Sequence, residues 1–237
     1  MSTWRSSPQP LEKRRFYAQQ NVARAYDEQR FGGASGARLN ERELDAVRRL
    51  LPERGRILDL GCGTGRLSAR LHEWGYSVVA LDTAAEMLHI TRARTEVPVV
   101  LADGFQLPFG AETFDAVVAL RVAFHYRQLD PLLLAARGVL KRGGVLIFDT
   151  CSWSPRAPVA IGGGSWGGRV WVQRSGLVRR TAAELGFTVG SETAAFFLTP
   201  HLYRVLPLPF VLALEKLEKH APSALLSRRL WRLEACC

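Results

Sequence analysis

Ile57-Leu58-Asp59-Leu60-Gly61-Cys62-Gly63-Thr64-Gly65-Arg66 joins a short apolar run to a helical pattern. Its three glycines permit a sharp backbone reversal and a close approach of the backbone to a ligand, because no Cβ stands in the way. The dinucleotide-binding pattern G-x-G-x-x-G would need a third glycine at position 66, where this chain has arginine. The spacing is D-x-G-x-G-x-G instead. The stretch therefore predicts a turn after a first strand, shaped for a nucleotide-like ligand.

The sequence around this turn alternates short apolar runs with helical segments from residue 56 to residue 150. Apolar runs of this kind are typical of strands buried on both faces, so the alternation predicts an α/β fold with a parallel sheet. Gly75 is predicted to end one helix and Pro131 to begin another. Thr83 and Glu86 form a predicted capping box for a third. The predicted strands cover residues 56–60, 77–81, 97–101, 114–120 and 145–149.

The N-terminal segment, residues 1–51, is predicted to be helical. A helix is expected over 11–30, followed by a glycine-rich link at 31–36. Asn40 and Glu43 have the spacing of a capping box, which predicts the start of a second helix over 41–51.

The C-terminal part is predicted to complete the sheet and then to add helices. A long loop over 152–168 precedes a helix over 176–185 that Gly186 ends. Amphipathic patterns in the last segment predict two helices. We therefore expect a central domain over 52–200 and a helical extension over 201–237. The strand-like runs lie at 187–192 and 195–199, and the two final helices at 207–219 and 223–234.

Three further segments occur in register with the glycine turn, and together they resemble the class I S-adenosylmethionine-dependent methyltransferases. Val78-Val79-Ala80-Leu81-Asp82 ends in an acid after the second strand, and Asp103-Gly104 follows the third strand. Gly143-Gly144 precedes the fifth strand. The resemblance implies a Rossmann-like, doubly wound, seven-stranded sheet with N-terminal lid helices.

The same resemblance implies S-adenosylmethionine as the cofactor and assigns residues to it. Asp82 corresponds to the acid that binds both ribose hydroxyls, and two acceptor oxygens suit a vicinal diol. Asp103 corresponds to the acid that binds the adenine amino group. The predicted cofactor-binding residues are Asp59, Gly61, Cys62, Gly63, Gly65, Asp82, Thr83, Asp103, Gly104 and Leu120, and no metal ligand is predicted.

The end of the fourth strand is the predicted place for catalysis. Related methyltransferases often carry a histidine there, which implies His125 as a general base or orienting group, with Tyr126 as the second candidate. Packing, or capping of the next helix, is an equal alternative for His125. Tyr17 and Tyr26 lie on the N-terminal helix that covers the cofactor in similar enzymes. Ordinary packing is the alternative for each tyrosine.

The acceptor is predicted mainly from a motif that is missing. Enzymes that methylate amino groups of nucleobases or glutamine resemble one another in an Asn/Asp-Pro-Pro-aromatic run, and this chain has Leu120-Arg121-Val122-Ala123 there. The matched segments are most similar to the small-molecule group that includes the ubiquinone and menaquinone methyltransferases. We therefore expect a small apolar or aromatic acceptor, methylated on oxygen or carbon. Arg66 and Arg121 could bind the cofactor carboxylate or an anionic acceptor, or have a structural role.

The net charge of +10, from 32 basic and 22 acidic residues, keeps an RNA-binding or RNA-modifying protein as an alternative. The basic residues form no long run, and Lys13-Arg14-Arg15 is the nearest to one, so nucleic acid is disfavoured as a partner. No apolar leader or spanning segment is recognisable, which predicts a cytoplasmic protein. The apolar stretch within 205–219 could contact a membrane or cover an apolar acceptor.

Overall fold

The computed structural model describes residues 11–154 and 170–236, so the predicted loop over 152–168 lies mostly outside the described residues. Three helices precede the first strand, and strands and helices then alternate up to β5, except that β4 follows β3 without a helix between them. Three helices and two strands follow the undescribed segment. The helices are α1 Leu11–Tyr17, α2 Gln20–Phe31, α3 Gly33–Arg48, α4 Arg66–Glu73, α5 Ala85–Arg94, α6 Asp130–Val139, α7 Ser175–Glu184, α8 Pro200–Val205 and α9 Leu208–Glu218. The strands are β1 Arg56–Leu60, β2 Ser77–Asp82, β3 Val99–Leu101, β4 Phe114–Ala119, β5 Leu140–Cys151, β6 Phe187–Ala195 and β7 Arg228–Ala235.

The strands form one seven-stranded sheet in the order β3-β2-β1-β4-β5-β7-β6. Strands β1 to β5 are parallel to one another, and β7 runs antiparallel between β5 and β6. The prediction of a doubly wound, seven-stranded sheet is confirmed. The strand order reverses between β1 and β4, and ligands of open α/β sheets bind outside the carboxyl ends of the strands at such a point.

Helices cover both faces of the sheet because successive side chains of a buried strand point to opposite faces. Leu58 and Leu60 of β1 join the apolar cluster that contains α6 and α7 residues. Ile57 of the same strand joins a second cluster with residues of α3, α4 and α5. The apolar runs of the sequence thus supply two cores, one on each side of the sheet.

The C-terminal prediction is wrong in one element. Residues 228–235 form strand β7 inside the sheet, whereas the sequence pattern predicted a helix over 223–234. The prediction of a separate helical extension that begins at residue 201 is therefore wrong as well. A short segment of mixed apolar and charged residues does not discriminate helix from strand, and pairing on both sides with β5 and β6 decides in favour of the strand. Residues 187–195 form the single strand β6, and the predicted strand at 195–199 is wrong too, because Phe196 has φ +65°.

The N-terminal segment is helical, but its predicted boundaries are wrong. The supposed link at 31–36 belongs mostly to α3, which follows α2 after the extended residue Gly32. Asn40 and Glu43 therefore lie inside α3 and cap nothing. Both have longer-range partners instead: Asn40 Oδ1 accepts a hydrogen bond from Arg66, and Glu43 pairs with arginines.

The signals within the central unit are mostly confirmed. Gly75, with φ +87°, follows the end of α4, and Pro131 lies in the first turn of α6. The Thr83–Glu86 capping box is wrong, because α5 begins at Ala85 without a side-chain cap. Among the described residues, we find no helix with the length and apolar character needed to cross a membrane.

Candidate active site

The glycine turn leaves the carboxyl end of β1 at the point where the strand order reverses. The φ angles of Gly61 and Gly63 are +74° and +57°, in the left-handed region that glycine adopts without strain. A Cβ on Gly61 would lie 2.6 Å from Cγ2 of Val122, and a Cβ on Gly63 would have no heavy atom within 4 Å. The first glycine thus allows close packing against the segment after β4, and the second keeps space open beside the backbone.

Asp82, at the end of β2, is held against this turn by backbone hydrogen bonds. The amides of Gly63 and Ala84 donate to Oδ2 and Oδ1, each over 2.9 Å. Burial raises the pKa of Asp82 above its usual value, although these amide donors oppose that effect. Each carboxylate oxygen accepts more than one hydrogen bond, so the fixed carboxylate retains acceptor capacity for a diol.

A cavity opens at this carboxylate, with a volume of about 850 Å³ when the part open to solvent is included. Gly61 and Gly63 line it together with Asp82 and Thr83. Its apolar lining suits a planar ring and an aliphatic chain. These apolar side chains are Leu60, Leu81, Met87, Phe105, Leu120, Val122 and Leu132, and Gly104 also lines the cavity. The glycines, the acid and the apolar wall fit S-adenosylmethionine, whose ribose would meet Asp82.

Six of the ten predicted cofactor-binding residues line this cavity, namely Gly61, Gly63, Asp82, Thr83, Gly104 and Leu120. The other four do not line it. The Ser68 hydroxyl donates to Asp59 over 2.5 Å, and the Asp103 side chain accepts from the Phe105 amide over 3.0 Å. Burial raises the pKa of Asp59 to about 6, although the Ser68 hydroxyl lowers it. These four are Asp59, Cys62, Gly65 and Asp103, and their contribution to cofactor binding stays a prediction.

The N-terminal helices form another wall of the cavity. Tyr17 of α1 and Tyr26 of α2 line it, and their rings meet edge to face at 6.1 Å. Lys13 and Arg14 of α1 line it as well. The structure thus places both tyrosines of the expected lid at the cavity.

His125 and Tyr126 line the same cavity; His125 is the last residue of a short 3₁₀ turn at Ala123–His125, and Tyr126 follows it. Lys13 Nζ lies 2.5 Å from Nδ1 of His125, and the Tyr126 ring contacts the Phe105 ring at 4.8 Å. Lys13 was not among the site residues predicted from the sequence. Its only signal was the short basic run at 13–15, and a contact across 112 positions of sequence is invisible to local patterns.

Arg66 and Arg121, whose roles the sequence left open, both pair with the buried carboxylate of Glu43. Arg66 Nη2 lies 3.1 Å from Oε2 and Arg121 Nη1 lies 2.9 Å from Oε1. The Phe31 ring lies beneath both guanidinium groups, at 3.9 Å and 5.2 Å. Both arginines therefore have a structural role, and Arg121 also lines the cavity.

Arg228 of β7 completes this buried cluster. It pairs with Glu43 and, through Nε at 3.1 Å, with Asp149 of β5, which also accepts the Arg121 amide. Burial raises the pKa of Glu43, but the guanidinium groups of the three arginines outweigh it and lower the pKa to about 2. Glu43 is therefore an anion at neutral pH. Within residues 11–154 and 170–236, no group of three His, Cys, Asp or Glu side chains is arranged to hold a metal ion.

Comparison with known proteins finds methyltransferases. Residues 58–148 match the family described as methyltransferase domain. The ubiquinone biosynthesis O-methyltransferase of Cereibacter sphaeroides is 34% identical over 133 residues, which make up 53% of this chain and 53% of that protein. The chain spans about half the length of the curated relatives it matches.

Two solved structures resemble nearly the whole chain. An S-adenosylmethionine-dependent methyltransferase from Thermotoga maritima has a TM-score of 0.66 and 20% identity, covering 95% of this chain and 99% of that chain. The magnesium protoporphyrin IX methyltransferase of Synechocystis, solved with bound S-adenosylmethionine, has a TM-score of 0.66 and 15% identity, covering 98% and 99%. At these identities the likeness shows the fold. Residues 58–148 thus match a methyltransferase domain, and the fold around them is shared with S-adenosylmethionine-dependent methyltransferases.

Proposed function

We propose that the protein is a cytoplasmic enzyme that transfers the methyl group of S-adenosylmethionine to oxygen or carbon of a small apolar or aromatic acceptor. One observation carries the proposal: a single cavity joins the Gly63–Asp82 cradle to His125 and Tyr126 under the N-terminal helices. When bound, the cofactor supplies a methyl group on a sulfonium, which is already a good electrophile. The protein then has to align the acceptor and exclude water.

The lining of the cavity supports an apolar or aromatic acceptor. Tyr17, Tyr26, Phe105 and Tyr126 surround it with aromatic rings, and Leu132 adds an aliphatic side chain. Rings of this kind contact a planar acceptor with little loss of side-chain entropy. The matched relative from Cereibacter sphaeroides is named an O-methyltransferase, which supports oxygen as the atom methylated.

The Lys13 contact favours an orienting role for His125 over that of a base. An ammonium group has only donors, so Lys13 donates to Nδ1 and the neutral imidazole carries its proton on Nε2. That N–H is a donor to an acceptor oxygen. Lys13 also brings a positive charge to the cavity, which stabilises an ionised acceptor such as a phenolate. His125 and Lys13 would thus hold the acceptor oxygen in its reactive form.

An RNA acceptor, the alternative raised by the net charge, has less support. Many of the arginines are paired with carboxylates within the chain, which lowers the density of cations that phosphates could meet. Affinity for a single-stranded RNA that falls steeply between about 50 and 200 mM salt would support this alternative. The paired arginines include Arg38, Arg42, Arg66, Arg70, Arg94, Arg121, Arg179, Arg228, Arg229 and Arg232.

Calorimetric titration with S-adenosylmethionine and with its demethylated product tests the proposal. The Asp82→Asn variant removes the charged acceptor for the ribose hydroxyls, so we expect its dissociation constant to rise at least about tenfold. Asp45→Asn, which changes an exposed carboxylate of α3, is the matched control and should bind like the native protein. Phenols and quinols would then be screened for methylation. Absence of cofactor binding by the folded native protein would refute the proposal.

A further inference from the structure

The last two helices carry a concentration of exposed apolar side chains. Of the nine large apolar side chains exposed in the described part of the chain, six lie between residues 202 and 225. Phe210 and Leu217 of α9 are 63% and 61% exposed. Large apolar side chains exposed together in one segment indicate an interaction surface. The six are Leu202, Val205, Phe210, Leu212, Leu217 and Leu225.

Helix α9 buries its acids on the side that faces α3. Val211 packs into an apolar cluster with Phe196 and Tyr203. Glu215 pairs with Arg38 over 2.7 Å, and Glu218 pairs with Arg42. Both carboxylates of α9 are thereby neutralised on its inner side.

The opposite side of α9, which we call its outer face, combines apolar and basic residues. Phe210, Leu212 and Leu217 are exposed there, and Lys216 is exposed between them. Lys219 is exposed directly after the helix ends. No acidic side chain of α9 lies on this face, since Glu215 and Glu218 point inward. Lysine stems lie along apolar surface while their ammonium groups reach the aqueous boundary, which is the pattern of interfacial helices.

The positive charge of the outer face indicates what kind of partner binds there. A second copy docked face to face would bring lysines against lysines and offer no carboxylate to neutralise them. An anionic lipid surface supplies both an apolar layer for Phe210 and Leu217 and negative headgroups for Lys216 and Lys219. We propose that the outer face of α9 docks the protein on anionic membranes.

The docking face is coupled to the cavity by packing. Tyr26 lines the cavity and also packs against the apolar cluster that contains Val211. The membrane surface would therefore lie one helical layer from the cavity. An apolar acceptor dissolved in the bilayer would reach the enzyme at that surface.

Vesicle flotation tests the docking without any need for an acceptor. We expect binding to phosphatidylcholine vesicles that contain about 30% phosphatidylglycerol, and much weaker binding to phosphatidylcholine alone. Phe210→Ser combined with Leu217→Ser should reduce binding at least about tenfold, because two large side chains lose their apolar contact. Val172→Ser with Leu177→Ser, exposed apolar positions outside this face, is the matched control and should bind normally. Lys216→Gln with Lys219→Gln should weaken binding to the anionic vesicles only.

The variants change exposed positions, and circular dichroism would establish that they fold. Native protein that stays off the anionic vesicles would overturn the proposal, as would equal binding by the Phe210→Ser, Leu217→Ser variant. Sedimentation analysis without lipid tests whether a second copy of the chain binds this face instead. If the native protein is a dimer and the Phe210→Ser, Leu217→Ser variant is a monomer, the face is a dimer interface. Cofactor titration involves Asp82 and not α9, so failure here is distinct from failure of the proposed function.

Discussion

Glu43 of α3 and Arg228 of β7 form an ion pair across 185 positions of sequence, and their side chains are only 1% and 2% exposed. The pair connects the N-terminal helices to β7, which lies between β5 and the edge strand β6. Asp149 and Arg121 extend it to β5 and to the cavity. The helical layer that covers the cavity is thus attached to the sheet by buried charge as well as by apolar packing.

Removing the carboxylate should destabilise the protein strongly. Glu43→Gln leaves the guanidinium groups of Arg66, Arg121 and Arg228 without their shared anion, and we expect a loss of about 3–5 kcal/mol in the free energy of unfolding. Urea unfolding of the native protein and the variant measures this difference in free energy. Glu41→Gln, which breaks a solvent-exposed pair with Arg70, is the control and should cost under about 1 kcal/mol. Equal effects of the two substitutions would show that the buried cluster contributes no more than a surface pair.

Asp59 should make the stability of the cofactor-free protein fall as pH rises. Its pKa of about 6 in the folded state lies above the usual 3.8, so the folded protein retains a proton that the unfolded chain releases. The stabilising contribution is complete below pH 3.8 and is lost as pH rises to about 6. Between about pH 4.5 and pH 7 we expect a loss of about 2 kcal/mol, measured by urea unfolding. The Asp59→Asn variant should lack this part of the pH dependence of the unfolding free energy. An unchanged pH dependence in the variant would contradict the assignment.

The close packing of Gly61 against Val122 predicts that a second substitution partly restores the cofactor binding lost on substitution of Gly61. Gly61→Ala places a Cβ 2.6 Å from Val122 Cγ2 at a φ of +74°, so we expect the dissociation constant for S-adenosylmethionine to rise about tenfold or more. Adding Val122→Ala removes the clash but not the backbone strain, so binding should recover in part. Gly138→Ala, in an open position of α6, is the control and should bind normally. Calorimetry would measure the dissociation constant of the native protein and the three variants. If the double variant does not recover cofactor binding, backbone strain at residue 61 alone causes the loss of affinity.

Lys13 should affect turnover more than cofactor binding. Lys13→Met removes the donor to His125 Nδ1, and we expect kcat to fall about ten- to hundredfold while the cofactor dissociation constant changes little. His125→Ala should behave in the same way, because both residues act on the acceptor in our proposal. Lys13→Arg keeps a cationic donor and should restore part of kcat. A Lys13→Met variant with normal turnover on an identified acceptor would remove Lys13 from the site.

The parts of the site that could be predicted are those formed by residues close together in the sequence. The glycine turn at 61–65 and the acid at the end of β2 follow from short patterns, because strand, turn and helix here are set by residues a few positions apart. Register in a parallel sheet then brings the ends of β1, β2 and β4 together. The resemblance to class I methyltransferases implied that Asp82 and His125 share one site, and both residues line the same cavity.

Tertiary structure alone decided the features that join distant parts of the chain. Residues 228–235 have a pattern compatible with helix or strand, and they form β7 because β5 and β6 offer backbone partners on both sides. Glu43 has the spacing of a cap, yet α3 begins earlier and the carboxylate becomes the anion of a buried arginine cluster. Lys13 meets His125 only when α1 folds over the cavity. Local sequence determines which elements can form, whereas burial of charge and strand pairing between distant segments determine which of them do.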